Sequence, residues 1–366
     1  MQRRSFMQLS LAALAASAVP RAAKAAAADS LREIANVKGL FVGTAVSFSQ
    51  LNRPEFAALL ADQCSILVSE NDMKWRATQP EQNRYDFAHA DAFMNFAESK
   101  KIRARGHNLC WHEHNPDWLD STATPQNAVA LLQQHITTVA GRYKGRIHSW
   151  DVVNEAIRPD HHNHNDMVNS VWLKNIGEDY IEIAFRAAAA ADPSALLTYN
   201  DYGIETDAPD QEKKRDAILS LLHRLRKKNV PLHAMGIQSH LRAHDDQQNW
   251  NGLSKFLKDL EKLNLQIFLT ELDVDDSLLP GDVPDRDRLI AELYRSYLDA
   301  ALRNNSVKAV LTWGFSDADT WLNGFRPRKD GLRQRPLPFD ADLHPKPAFQ
   351  SMRDAISNHP NASSAQ

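Results

Sequence analysis

The chain has 366 residues, 43% hydrophobic and 24% charged, and its 43 basic and 46 acidic residues leave a net charge of −3. These values are ordinary for a globular enzyme, and the length suits one large α/β barrel or two smaller domains. No basic run is interleaved with aromatic residues, so nothing in the sequence carries a nucleic-acid footprint.

The first residues read as an address rather than as fold. Arg3-Arg4-Ser5-Phe6-Met7 precedes an apolar stretch from Leu9 to Val19, and small residues at Ala23-Lys24-Ala25 offer a cleavage point. This layout predicts an export signal over residues 1–25, with the paired arginines pointing to the twin-arginine route. The apolar stretch is too short to span a bilayer permanently. Loss of the signal would remove four basic residues and leave a mildly acidic exported chain without a membrane anchor, periplasmic or secreted.

Beyond Ala28 a short apolar strand followed by a helical stretch recurs. The expected strands are Phe41–Ser47, Ile66–Asn71, Arg103–Trp111, Ile147–Glu155, Ala195–Tyr202, Ala234–Leu241, Ile267–Val274 and Ala309–Asp317. Helical periods lie between them, as in Ala88–Lys100, Tyr180–Ala191, Gln211–Lys228 and Asp285–Asn304. Eight strands alternating with helices predict a parallel sheet closed into a single (β/α)8 TIM barrel over residues 30–358, followed by a polar tail over 359–366.

In such a barrel the active site lies at the C-terminal ends of the strands. Here those ends carry Glu70-Asn71, His107 through Trp111, Asn154-Glu155, Asn200-Asp201-Tyr202, Gln238-Ser239-His240, Glu271-Leu272-Asp273 and Trp313. Any one of them could be a satisfied structural group, but a purely structural barrel has no reason to gather carboxylates, imidazoles and indoles on one rim. Glycosidic hydrolysis needs two carboxyl groups flanking the scissile bond, one to donate a proton and one to attack or to activate water. Glu155 on the fourth strand and Glu271 on the seventh face each other across the expected barrel mouth.

Other patterns carry less. Cys64 opens one expected strand and Cys110 closes the next, at opposite ends of a parallel pair, so two thiols are expected rather than a bridge. The cluster Asp160-His161-His162-Asn163-His164 reads as a solvated loop, His112-Glu113-His114 lacks zinc-helix spacing, and Asp273, Asp275 and Asp276 lack the EF-hand pattern; no metal site is expected. Lys213-Lys214-Arg215 and Arg226-Lys227-Lys228 read as exposed helix charges. Trp118, Trp150 and Trp172 read as core. There is no phosphate-cradling glycine loop and no Gly-x-Ser-x-Gly nucleophile elbow.

Eight stretches in order complete a more specific pattern: Glu70-Asn71-Asp72-Met73-Lys74-Trp75, Arg105-Gly106-His107 through Trp118, Trp150-Asp151-Val152-Val153-Asn154-Glu155, Tyr199-Asn200-Asp201-Tyr202, Gly236-Ile237-Gln238-Ser239-His240, Thr270-Glu271-Leu272-Asp273, Trp313-Gly314-Phe315-Ser316-Asp317 and Pro345-Lys346-Pro347-Ala348. With them the chain resembles glycoside hydrolase family 10, the β-1,4-xylanase family, from about Gly43 to Phe349. The resemblance implies Glu155 as acid/base and Glu271 as nucleophile, hence retained configuration and a carboxyl separation of about 5–5.5 Å. It implies Asn154 as the hydrogen-bonding partner of the sugar 2-OH, and His240 with Asp273 as support for the nucleophile. Glu70, Asn71, Lys74 and His107 match glycone-side binding residues, and Trp313 and Trp321 match indole walls at the cleavage point. Trp111 and His112 lie beside the acid/base, and Tyr202 and Gln238 are expected towards the aglycone. One departure stands out: where the family reads Trp-His-x-Gln, this chain reads Trp111-His112-Glu113-His114, and an imidazole cannot offer the paired donor and acceptor of an amide. The implied activity is an endo-β-1,4-xylanase acting on xylan or xylo-oligosaccharides as a monomer, with no cofactor, and His114 keeps a related β-glucan or decorated xylan open as the substrate.

Overall fold

A computed structural model describes residues 30–244 and 249–360. The export signal over 1–25 and residues 361–366 of the tail lie outside the described residues. His359, placed in the tail by sequence, is buried, and its Nδ1 lies 2.7 Å from the Leu302 carbonyl oxygen.

The strands are β1 (Phe41–Val46), β2 (Ile66–Ser69), β3 (Arg103–Cys110), β4 (Ser149–Asn154), β5 (Leu196–Asp201), β6 (Ala234–Ile237), β7 (His240–Arg242), β8 (Gln266–Asp275) and β9 (Val307–Thr312). All pair in parallel, each with its neighbour, and the ring closes through β6 with β8 and β9 with β1. Eight strands therefore form the closed barrel, and β7 is a three-residue continuation of the β6 run that pairs only with the far end of β8. The single strand expected over Ala234–Leu241 is broken at Gln238-Ser239, where Ser239 takes a left-handed φ of +66°. The last expected strand, Ala309–Asp317, begins earlier and stops at Thr312, because Gly314 at φ +93° turns the chain out of the sheet.

Two apolar layers hold the barrel. Ala45, Ile66, Val68, Ala234, Phe268, Ala309, Leu311 and Trp313 fill its interior. A larger layer lies between sheet and helices, to which Asn251–Lys262 contributes Leu253, Phe256, Leu257 and Leu260, one stripe at helical spacing. Helix starts follow local chemistry: Ser30 and Glu33 form a capping box, Asp282 caps the helix Val283–Ala301, and Pro209 and Pro347 begin two others at a position that needs no N–H.

Close approach explains Gly106. A Cβ built there would stand 2.0 Å from the Trp150 ring, so only glycine lets β3 pack against that buried indole. Trp150 and Trp172 are fully buried as expected, whereas Trp118 is half-buried and donates through Nε1 to the Gln79 carbonyl. Cys64 and Cys110 are free, buried thiols. Asp275 and Asp276 belong to an arginine network: Arg286 lies 2.7 Å from Asp276 through Nε, and Arg326 lies 3.4 Å from Asp275.

The expectation for Lys213-Lys214-Arg215 is corrected. Only Lys213 is exposed; Lys214 and Arg215 are buried, because the helix Pro209–Lys227 turns that edge inward beneath the loop that follows β5. Arg215 satisfies the Ile204 carbonyl at 3.1 Å and also the Thr206 carbonyl.

Candidate active site

The two glutamates stand at the mouth of the barrel, Glu155 just past the end of β4 and Glu271 within β8. β4 ends at Asn154, and Glu155 leaves it with a left-handed φ of +56° while its N–H still bonds the Asn200 carbonyl of β5. The carboxylate accepts from Gln238 Nε2 at 2.8 Å, Asn154 Nδ2 at 3.0 Å and Trp111 Nε1 at 2.9 Å. Burial pushes this carboxyl above the usual range; the Gln238 hydrogen bond pulls it down, and the negative charges of Asp201 and Glu271 push it up again. The net is an upward shift, which suits a group that must hold a proton.

Glu271 is 4% exposed and sits within β8. Its Oε1 accepts from Asn200 Nδ2 at 2.8 Å, and its Oε2 lies 3.3 Å from His240 Nε2. The other ring nitrogen of His240 meets Asp273 Oδ1 at 2.8 Å, and Asp273 Oδ2 accepts from Trp321 Nε1 at 2.7 Å. Burial disfavours a charged His240, but Asp273 and Glu271 outweigh it and raise its pKa well above the ordinary histidine value. The ring is then an imidazolium that donates to Asp273 and to Glu271. The break between β6 and β7 makes this possible: Gln238 turns to Glu155 while His240, two residues on, turns to Glu271.

The two halves are joined by amides. Asn200 Nδ2 donates to Asn154 Oδ1 at 2.9 Å as well as to Glu271, and Thr270 Oγ1 donates to Asn200 Oδ1 at 2.8 Å. A continuous chain of hydrogen bonds thus runs from Glu155 through Asn154 and Asn200 to Glu271.

Glu70, Asn71, Lys74 and His107 gather around this pair. Lys74, 7% exposed, donates to Asn71 at 2.8 Å, and its Nζ lies 5.3 Å from the Trp111 ring and 5.9 Å from the Trp313 ring. Burial lowers the Lys74 pKa, against the pull of Glu271, Glu70, Glu155 and Glu113. Glu70 is raised, first by burial, with Lys74 opposing. His107 packs edge-on to Trp313 at 5.2 Å, and its Nδ1 lies 3.0 Å from Asp151, which Arg105 also holds. Trp321 tilts over His240 at 5.2 Å.

His114 stacks on Trp111 with ring centroids 5.0 Å apart and planes 10° from parallel. The residue as a whole stays exposed, but loss of water on the stacked face and the charge of Lys74 push its pKa down to about 4. At neutral pH it is an uncharged imidazole, leaning on the indole that donates to Glu155.

Sequence reasoning missed part of the site. Asn200 and Asp201 stood in a rim motif, which was the available signal, yet their roles as bridge and buried charge appear only in three dimensions. Lys214 had no signal at all. It reaches from its helix to Asp201 Oδ1 at 2.7 Å and lies 3.8 Å from the centre of the Tyr202 ring. Among the described residues no group of three or more His, Cys, Asp or Glu has an arrangement that could hold a metal ion.

A parallel barrel with two carboxyl groups at its mouth, one with its pKa raised by burial and one hydrogen-bonded to an imidazolium, ringed by indoles and amides, is the equipment of a glycoside hydrolase. The chain belongs to glycosyl hydrolase family 10, whose model matches residues 30–355. It is 33% identical to "Endo-1,4-beta-xylanase B" of Thermotoga neapolitana, over 89% of this chain and 91% of that protein. Native xylanase 10B from Thermotoga maritima superposes with a TM-score of 0.81 at 34% identity, covering 89% of this chain and 98% of the other. Xylanase 10B from Thermotoga petrophila RKU-1 in complex with xylobiose gives a TM-score of 0.80 at 34% identity, covering 89% and 97%.

Proposed function

We propose that the protein is a retaining endo-β-1,4-xylanase that cleaves internal bonds of xylan, with Glu155 as acid/base and Glu271 as nucleophile. The observation that carries this is the division of labour between the two carboxyl groups: Glu155 is shifted upward and surrounded by donors, and Glu271 is pressed against a protonated His240. Glu271 attacks the anomeric carbon while Glu155 protonates the departing oxygen. Once Glu271 is esterified its negative charge is gone, and one of the causes that raises Glu155 goes with it. Glu155 then ionises more readily and acts as base toward water. In this reading Asn154 bonds the sugar 2-OH, and Trp313 and Trp321 meet the sugar faces.

The test is reducing-sugar release from glucuronoxylan, with product stereochemistry followed by proton NMR. The first product should be the β-anomer. Glu271→Ala should abolish release, and Glu155→Ala should cost a smaller factor on substrates whose leaving group needs no proton. An α-anomeric first product, or full activity in Glu271→Ala, would overturn the reading.

A second reading, a β-glucan or decorated xylan as substrate, is favoured by one observation: His114 is a neutral, stacked imidazole with a single donor. The ratio of rates on xylan and carboxymethyl cellulose decides between the two. Export remains part of the proposal, supported by the composition of residues 1–25. N-terminal sequencing of the mature protein should begin just after Ala25.

A further inference from the structure

Lys214 is the feature of the site that neither the sequence motifs nor the proposed reaction accounts for. It lies on the helix Pro209–Lys227, is 7% exposed, and is paired with Asp201, which is fully buried. Asp201 is itself fully engaged: Oδ1 also accepts the Tyr202 N–H at 2.9 Å, and Oδ2 accepts the Tyr199 hydroxyl. The same ammonium sits 3.8 Å from the Tyr202 ring centre, a desolvated cation on an aromatic face. Tyr202 follows β5, and β5 pairs with β4 so that Asn200 lies opposite Asn154. The ring therefore stands near Glu155, whose charge acts on the Tyr202 hydroxyl, and under the proposed reaction Glu155 protonates the departing sugar.

We propose that Lys214 is a positioning residue for the leaving-group side of the cleft: held by Asp201, its ammonium clamps one face of the Tyr202 ring and so fixes the other face as a platform for the first sugar beyond the scissile bond. The inference rests on the xylanase reading above. A lysine suits the task because a compact point charge can touch a carboxylate and a ring face together, whereas an apolar side chain would leave Asp201 buried and unpaired. The ligand is a β-linked sugar on the aglycone side, bound through its apolar face.

The experiment compares two substrates. Nitrophenyl xylobioside places no sugar beyond the cleaved bond, whereas xylotetraose places sugars on both sides. Lys214→Met should lose about ten-fold more in kcat/KM on xylotetraose than on the aryl glycoside, chiefly through KM. Lys214→Arg should restore most of the difference. If Lys214→Met does not fold, Lys214→Gln removes the cation, leaves Asp201 a hydrogen-bond donor and should show the same split. In a Tyr202→Ala background the split should vanish. Equal losses on both substrates, no loss on either, or a split that persists without Tyr202 would overturn the inference. Wild-type enzyme that cleaves neither substrate would overturn the xylanase reading and this inference with it.

Discussion

Glu155 and Glu271 are the same residue type given opposite tasks by their neighbours. Burial and two nearby negative charges raise the pKa of Glu155, whereas Glu271 lies against an imidazolium. Because Glu155 must be protonated to donate, the rate should fall as pH rises through its raised pKa. Asp201→Asn removes one of the charges that raise it and leaves the Lys214 cation unpaired nearby, so both effects lower the Glu155 pKa. The alkaline limb of the kcat/KM profile should move to lower pH, and a shift upward would contradict the electrostatic account. His114 bears on the acid limb differently: protonation near pH 4 would put a positive charge against Trp111, so His114→Gln should alter the profile only below about pH 5.

At the scale of elements, short irregular joints do the aiming. The break between β6 and β7 points Gln238 and His240 at different carboxylates, and no regular strand could do so, since residues two apart share a face. The close packing of β3 on β4 depends equally on one position. Gly106→Ala would drive a methyl group into the Trp150 ring, and equilibrium unfolding should show a loss of about 1–3 kcal/mol or more. On the far side, Arg286, 1% exposed, neutralises the fully buried Asp276. Arg286→Leu strands that charge, with Arg328 more distant at 3.8 Å, and should cost about 3–5 kcal/mol in the same measurement. Near-native stability in that variant would mean the network contributes little.

For the whole molecule, the closed ring brings β4, β5, β6 and β8 to one rim, so groups more than a hundred residues apart share a hydrogen-bond chain. The reaction needs only carboxylates, and activity should be indifferent to a chelator; loss of activity in EDTA that zinc or calcium restores would require another mechanism. The sequence by itself determined the barrel, its strand order and the two glutamates, because alternating apolar runs and the chemistry at their C-terminal ends are local patterns that survive in one dimension. Its resemblance to the family also singled out His240 with Asp273, the group Glu70, Asn71, Lys74 and His107, and the indoles Trp313 and Trp321. Only the tertiary structure decided the split of β6 and β7, the left-handed turn at Glu155, the bridge through Asn200, and the burial of Lys214. Each of those depends on what stands opposite a residue rather than beside it. A lysine in a charged run looks solvated in any window of sequence; it becomes part of the site only when the helix carrying it packs its charged edge over Asp201 and Tyr202, where removal from water makes one ion pair and one ring contact decisive.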